Sequence, residues 1–520
     1  MPSTNFTPLL LSLQDLLGED TVSRIVSSAV ALGQADATGL GHLASQPVDC
    51  FPVAFQEHLK AMLPKVGQQL VDPLPTPLRA GASTLKFRSA TQDAAVPLGG
   101  FGYFRLGADG RLYLIAKSEH YHASLGHRFP GYQLLEHARR LGIPNATHNN
   151  TRGLLTRLLE EELVAAVNGL SREYQQTELE TLLQADDLNV MNRVLNLNTG
   201  SLAAEAALKM CLARFYTIES GLAPPKYAGR KPVFLVMGTE DGQPQANYHG
   251  TTILTQMMRG MWPELAQRFV EEGLFTVCAL RPNNVRDLEE AFATYENGLY
   301  KIAGFFHEIV LMNYGARLLE PAYLQRAYEL CRDRDVPTVV DEIQSGLWAP
   351  DLFLFREYGL RPSAVVVGKG FPGGEYSASR IIFSSVLDTM PQFGALVTNG
   401  QEELGSLAYL VSMRWAVANA AQTRAVGDYY EARLSRLREQ FPTKIISIEG
   451  NRHLCGIKFT DHASAAAFVR DLVSGGIDIS MQVYKQAFPP VVLTKLPLIA
   501  DHAVVDYLLE RMTVALGQSA

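Results

Sequence analysis

Apolar residues change their period along the chain. Up to about Val71 they recur at helical spacing in amphipathic stretches, which predicts helices. "DPLPTPLRAGAS" (Asp72 to Ser83) then reads as a linker rich in Pro and Gly. In "GYFRLGADGRLYLIAK" two alternating runs flank an "ADG" turn, the signature of a β-hairpin. Arg152 to about Asp187 is helical in composition. From about Lys231 short β-rich runs set in: "PVFLVMG", "FTVCAL", "EIVLMN", "PTVVDE", "SAVVVGKG" and "SRIIFS", separated mostly by amphipathic stretches such as "EPAYLQRAYELCRDRD". Strands alternating with helices predict a largely parallel sheet covered on both faces, and such sheets bind ligands beyond the carboxyl ends of their strands.

Two of these runs end on charge. "PTVVDE" stops at Asp341, and "VVVGKG" places Lys369 one strand further on, so both side chains are expected in one crevice. A carboxylate and an amine so placed form either a structural ion pair or a reacting pair. "LNLNTGSLAAEAALKMCLARFY" breaks at Asn198 to Ser201 and continues with helical spacing; a turn of that kind offers free N–H groups to an anion, or Thr199 or Ser201 is simply an N-cap. "ANYHGTT" sets Tyr248 beside His249 and Gly250.

Composition narrows the function classes. With 520 residues and 47% hydrophobic content the chain buries a large core. A net charge of -7 without a basic stripe argues against nucleic acid. Five scattered cysteines without a CxxC pair suit a reducing compartment, so a cytoplasmic location is expected. The N-terminal "MPSTNFTPLLLSLQDLLGED" lacks a cationic n-region, and no run is apolar for long enough to span a membrane. His120, His122 and His127 lie close together in "SEHYHASLGH", but no carboxylate or cysteine pattern accompanies them, so no metal is expected. Neither a P-loop nor a G-x-S-x-G nucleophile turn is present.

Taken together, "DEIQSG", "VVVGKG", "NTGSLAAEAALK" and "NYHGTT" resemble the D-E-V-Q-T-G, A-K-G, N-S-G-x-E-A-N-E-A-A-x-K and F-H-G-R-T segments of the class III pyridoxal-phosphate enzymes, the ornithine and 4-aminobutyrate aminotransferase relatives. "LGHRFPGYQLLEHARRLG", "THNN", "HLCGIKFT" and "LPLIADHAVVDYLLERM" extend the resemblance, with gaps, from about residue 100 to the C-terminus. It implies a fold-type-I α/β architecture. Residues 151–395 would form the large cofactor domain; residues 1–150 and 396–520 would contribute a smaller α+β domain from both chain ends. It also implies a homodimer, pyridoxal 5'-phosphate as cofactor, and amino transfer between a small amine or amino acid and an oxo acid or aldehyde. A racemase, aminomutase, decarboxylase or lyase on the same fold, or a non-catalytic binding protein, are the alternatives.

On this resemblance Lys369 forms the Schiff base with the cofactor aldehyde and moves the substrate proton. Asp341 pairs with the pyridine nitrogen, and Gln344 reaches the phenolic oxygen. Tyr248 stacks on the ring with His249 beside it, and Thr199, Gly200 and Ser201 hold the phosphate. Glu342 and Glu205 match the motifs, with a salt bridge and a helix-dipole role respectively as sufficient explanations.

The departures are as informative. The segments 151–197 and 239–247 are longer than the family usually shows. After "EIVLMN" the family has E-P-x-x-G-E, whereas "MNYGARLL" supplies Asn313, Tyr314 and Arg317 and neither acid. "LVTNGQEELGSLAYL" replaces a family motif that sends a threonine to the partner's phosphate, leaving Thr398 as the candidate. The expectation is therefore a divergent member that does not behave as an ordinary ornithine or 4-aminobutyrate aminotransferase using 2-oxoglutarate.

Overall fold

The computed structural model describes residues 6–34, 36–75, 79, 81–170, 175–482, 488 and 490–518. They form two compact units. The larger comprises Ser12–Gln46 and Leu134–Ala420, the smaller Met1–Leu11, Pro47–Gln133 and Ala421–Ala520. The expected domain limits near residues 150 and 395 thus lie within the larger unit.

A seven-stranded sheet organises the larger unit: β1 (Arg193–Leu197), β2 (Lys231–Met237), β3 (Thr276–Leu280), β4 (Tyr300–His307), β5 (Thr338–Asp341), β6 (Ala364–Val367) and β7 (Ser379–Phe383). Their order across the sheet is β1-β7-β6-β5-β4-β2-β3. Pairs β2/β3, β2/β4, β4/β5 and β5/β6 are parallel, and β7 alone runs against its two neighbours. The largely parallel sheet expected from the alternating pattern is therefore present. All four residues of β5 and of β6 are buried, as expected of central strands covered on both faces.

Helices follow from the same patterning. α1 (Leu154–Asn168) ends on Gly169 in the left-handed conformation. α2 (Gly200–Leu212) lays Ala203, Ala206, Ala207 and Met210 into the core formed with Leu197, Val236, Phe306, Val339, Val366 and Ile381. Small alanines let this helix approach the sheet closely, and each larger side chain so buried is worth about 1.5–3 kcal/mol. α3 (Ile253–Met258), α4 (Pro321–Asp333), α5 (Leu354–Glu357) and α6 (Glu403–Ala418) complete the elements used below. α4 has Pro at its first position and buries Tyr323, Leu324, Ala327, Tyr328 and Cys331, the face that its sequence predicts.

One expected strand is misplaced. "EIVLMN" is not a strand of the large sheet: β4 ends at His307, and among the described residues Val310–Leu311 pairs only with Arg317–Leu318 in a hairpin. The true strand, "YKIAGFFH", is interrupted in sequence by Lys301 and Gly304. Lys301 is nevertheless buried, its ammonium 2.9 Å from Glu296 Oε1. A Cβ on Gly304 would stand 3.1 Å from the Phe306 ring and 3.3 Å from Cys211 Sγ.

In the smaller unit, Phe104–Gly107 and Leu112–Ile115 form the predicted hairpin around Ala108 to Gly110. Ile445–Asn451, Leu454–Phe459, Val491–Thr494 and Ser480–Met481 build an antiparallel sheet. Part of the expected linker (76–78 and 80) and part of the expected helical stretch (171–174) lie outside the described residues. Before Val71, helices Leu13–Leu17, Glu19–Ala31, Ala37–Ser45 and Val53–Met62 match the amphipathic pattern. His127 of the histidine cluster pairs with Glu119 at 3.0 Å. Among the described residues no helix is long and apolar enough to cross a membrane.

Candidate active site

Three of the expected segments meet at the carboxyl end of the sheet. Asp341 closes β5, with its carboxylate held by two donors: Ile343 N–H reaches Oδ1 at 3.1 Å and His249 Nδ1 reaches Oδ2 at 2.9 Å. This pair joins "DEIQSG" to "NYHGTT". Gly250 has φ +131, and a Cβ there would lie 2.7 Å from Ser201 Cα, while Thr251 N–H donates to Ser201 Oγ at 3.1 Å. Those contacts join "NYHGTT" to the start of α2. The third side is closed by Gly200, where an added Cβ would stand 2.1 Å from Ile343 Cδ1.

α2 begins at Thr199, an extended N-cap whose side chain makes no capping hydrogen bond. Leu202 and Ala203 N–H donate to Thr199 O at 3.1 and 3.2 Å, so the N–H groups of Gly200 and Ser201 and the positive dipole end are left for an anion. Glu205 accepts from Thr252 Oγ1 at 2.8 Å and so fastens α2 to the N-cap of α3.

Lys369 lies two residues beyond β6 with φ +43, a left-handed conformation uncommon for a side-chain-bearing residue and a mark of local strain. Gly368 before it leaves no room for a Cβ, which would fall 2.3 Å from Ser379 Oγ. Burial lowers the Lys369 pKa, opposed by the charges of Glu308 and Asp341. An amine so placed is more readily neutral than a surface lysine.

Glu308, the first residue past β4, is not among the expected site residues, because the apolar pattern puts the strand at "EIVLMN", after it. It is buried, Gln344 Nε2 donates to its Oε2 at 3.3 Å, and its Oε1 has no hydrogen-bond partner among the described residues. Burial, reinforced by Asp341, raises its pKa well above the usual carboxyl range, with Lys369 and Arg259 opposing. A usable signal existed. Glu308 and Asn313 have the spacing of the two acids in E-P-x-x-G-E, so the expectation that neither acid is present is corrected: the first is Glu308, and Asn313 stands where the second would be. Arg317 pairs with Glu240, its Nε 3.1 Å from Oε1 and about a third of its side chain exposed.

Tyr248 is half-buried, with the Arg259 guanidinium 4.9 Å from its ring centroid. The preceding Asn247 fixes this segment through Nδ2, which donates to Pro244 O at 2.6 Å and Met258 O at 3.1 Å. Glu342 points away from the group: Phe355 N–H and Ser345 Oγ each donate to its carboxyl at 2.7 Å. Thr398 is exposed, and among the described residues no hydrogen bond links it to the group. The structure thus brings together Thr199, Gly200, Ser201, Tyr248, His249, Asp341, Gln344 and Lys369, and adds Glu308.

Comparison with known proteins points the same way. Residues 154–516 match the family described as aminotransferase class-III. An acetylornithine aminotransferase from Synechocystis is 22% identical over 380 residues, covering 72% of this chain and 84% of the relative. A hypotaurine/taurine–pyruvate aminotransferase from Paracoccus denitrificans is 26% identical over 327 residues, covering 56% of this chain and 66% of the relative. Among solved structures, the ornithine aminotransferase of Toxoplasma gondii superposes with a TM-score of 0.65 at 20% identity, over 89% of this chain and 95% of that one.

Proposed function

We propose, from the premise that this chain belongs to the class III aminotransferase family and is a pyridoxal-phosphate-dependent transaminase of fold type I, that Lys369 carries the cofactor and that Asp341 holds its ring nitrogen. Amino and oxo acids are its substrate class. The finer reading is transfer between a small amine or amino acid and an oxo acid or aldehyde, by a cytoplasmic homodimer.

The observation that supports these roles best is the convergence of a helix N-terminus, an end-of-strand carboxylate and a buried lysine on one side of the sheet. The residues fit the cofactor: the phosphate needs donors such as the N–H groups of Gly200 and Ser201, the ring nitrogen needs an acceptor such as Asp341, and the aldehyde needs an amine. The buried His249 Nε2 and Glu308 Oε1, without hydrogen-bond partners among the described residues, suit a site made for a further polar group. The bound cofactor supplies an electron sink for the charge left when the substrate's α-proton departs.

The protein's own groups do the rest. The start of α2 binds the phosphate, Tyr248 covers a ring face, and Gln344 donates to the phenolic oxygen while Glu308 holds the amide in orientation. The lowered pKa of Lys369 suits an amine that takes the substrate proton and returns it. Thr398, which is exposed, is read as serving the phosphate site of a second copy of the chain. Free cysteines at all five positions agree with a reducing compartment.

The test adds a panel of amines and amino acids to the cofactor-loaded enzyme without any oxo acid. A true donor bleaches the cofactor's long-wavelength absorbance and leaves one equivalent of oxo product or aldehyde. Product that accumulates over many turnovers while the absorbance persists would overturn the reading.

A further inference from the structure

Arg380, the second residue of β7, is 0% exposed, and among the described residues no carboxylate lies within ion-pair distance of it. Of the acids whose charge reaches it, Glu160 takes the Asn196 amide at 2.5 Å and Glu402 the Gly400 N–H at 2.6 Å. Taking a guanidinium out of water is unfavourable unless its donors are met. Here Nη1 donates to Leu197 O at 3.2 Å and to Ser379 O at 3.0 Å, and Nη2 to Ser406 Oγ at 3.3 Å, while Nε has no hydrogen-bond partner among the described residues. The guanidinium carbon lies 5.2 Å from the Tyr409 ring centroid. These partners share a place. Leu197 ends β1, two residues before Thr199, and stands opposite Ser379 in the β1–β7 ladder. Ser406 lies in the first turn of α6, where its Oγ also meets Thr156 Oγ1 at 3.0 Å. The chain just before α6 presses on the same strand end: a Cβ on Gly400 would stand 2.9 Å from Asn196 O, and Gln401 exchanges amide hydrogen bonds with Asn196, at 3.1 Å through Oε1 and 3.4 Å through Nε2. A side chain needed only to fill this face of β7 would be apolar, as the fully buried Ile382 is two residues on.

We propose that Arg380 is a positioning residue for the phosphate-binding turn: by tying Leu197 O to the first turn of α6, it holds the Gly200 and Ser201 N–H groups where the cofactor phosphate needs them. This inference rests on the phosphate assignment proposed above. Arg380 acts through the backbone that leads from β1 into α2, not on the cofactor itself. A guanidinium suits the task because its planar fork meets Leu197 O, Ser379 O and Ser406 Oγ together, which a single ammonium on a flexible stem does less well. Without the fork the carbonyl that precedes the turn keeps only its ladder contacts, and the turn is free to shift against α6.

The experiment measures, by equilibrium dialysis of the cofactor-free protein, the Kd for pyridoxal 5'-phosphate and the Kd for pyridoxal, which has the same ring and aldehyde without the phosphate. The wild type is compared with Arg380→Met, Arg380→Lys and Ser201→Asp, the last of which sets a negative charge at the start of α2 and so tests the phosphate assignment itself. Arg380→Met is expected to lower the preference for the phosphorylated ligand about tenfold, the scale of one lost charge-assisted bond, and to leave pyridoxal binding within about twofold. Arg380→Lys is expected to fall between, at about threefold. An Arg380→Met protein with the wild-type preference, beside a Ser201→Asp protein that has lost it, overturns the inference alone. So does an Arg380→Met protein that loses affinity for both ligands equally, since a general loss of structure does not single out the phosphate. A Ser201→Asp protein with unchanged preference instead removes the phosphate assignment. Should Arg380→Met fail to fold, Arg380→Lys decides: a lowered preference for the phosphorylated ligand is expected, and the wild-type preference overturns the proposal.

Discussion

Glu342 turns one buried carboxyl into a measurable pH dependence of stability. It is fully buried, and burial pushes its pKa from 4.5 up to about 7; Asp341 adds to the rise, and the donors Ser345, Phe355 and Leu354 oppose it. The folded pKa is raised, so the native state binds this proton more tightly than the unfolded chain. Its contribution is fully present below about pH 4.5, falls as pH rises through the window to about 7, and is gone above it. A rise from 4.5 to about 7 corresponds to about 3 kcal/mol at 1.36 kcal/mol per unit. Glu342→Gln removes the titration and keeps the shape. It retains one acceptor for Phe355 N–H or Ser345 Oγ, a loss of about 1 kcal/mol at low pH. The assay is the unfolding midpoint in denaturant at pH 5 and pH 8 for both proteins, with cofactor present at equal excess. The wild type is expected to lose about 2.5 kcal/mol more than the variant between the two pH values, the remainder of the change lying below pH 5. Parallel pH profiles would refute the reasoning, since other titrating groups are common to both proteins.

Further outcomes follow from the same geometry. Lys369→Ala is expected to abolish turnover while still holding cofactor without a covalent bond; borohydride reduction of the wild type followed by peptide mapping should place the pyridoxyl group on Lys369 and no other lysine. Gly250→Ala meets Ser201 backbone at 2.7 Å with φ +131, so it should cost about 1–3 kcal/mol in stability and weaken cofactor binding, read by the unfolding midpoint and by equilibrium dialysis. Arg317→Ala breaks a part-exposed pair with Glu240, so stability should move by under about 1 kcal/mol and KM for carboxylate substrates should stay within about threefold. Sedimentation should give a dimer at assay concentrations, and an active monomer would refute the shared-site reading.

Where sequence patterns reached the site, they did so through continuous β-branched runs. "TVVD" and "AVVV" are buried along their whole length, so apolar runs gave away both the strands and the charges that end them. Strand β4 escaped because its sequence has a lysine and a glycine where a central strand normally has branched side chains. No local pattern says that the Lys301 charge is met by Glu296 or that Gly304 makes room for Phe306. The misplaced strand then hid Glu308. The His249–Asp341 bond was out of reach for another reason: it spans 92 residues and depends on the parallel order of β5, β4 and β2. Likewise Ser118 to Tyr121, four consecutive residues with positive φ, form a left-handed turn held in part by the Arg105–Glu119 pair. Chirality disfavours such a turn by about 1–2 kcal/mol per residue, so only tertiary contacts account for it.

The corrected strand end also sharpens the substrate argument. In relatives that alternate between an amine and 2-oxoglutarate, the resemblance assigns an acid of this segment to controlling an active-site arginine. Here Glu308 occupies the first acidic position but is bonded to Gln344 and held toward its neutral form by burial. Asn313 occupies the second position, and an amide cannot neutralise a guanidinium. Nor does Arg317 supply the missing control from the other side, because Glu240 already engages it. A pocket without a switchable counter-charge suits donors and acceptors of one charge type, since a buried polar group left unpaired by the wrong partner costs about 1–3 kcal/mol, tenfold or more in preference. Kinetics with paired acceptors, pyruvate against 2-oxoglutarate, are therefore expected to differ at least tenfold in kcat/KM, and Asn313→Glu is expected to narrow the gap. Efficient turnover of ornithine or 4-aminobutyrate with 2-oxoglutarate by the wild type would show that the amide at 313 does not set the charge preference.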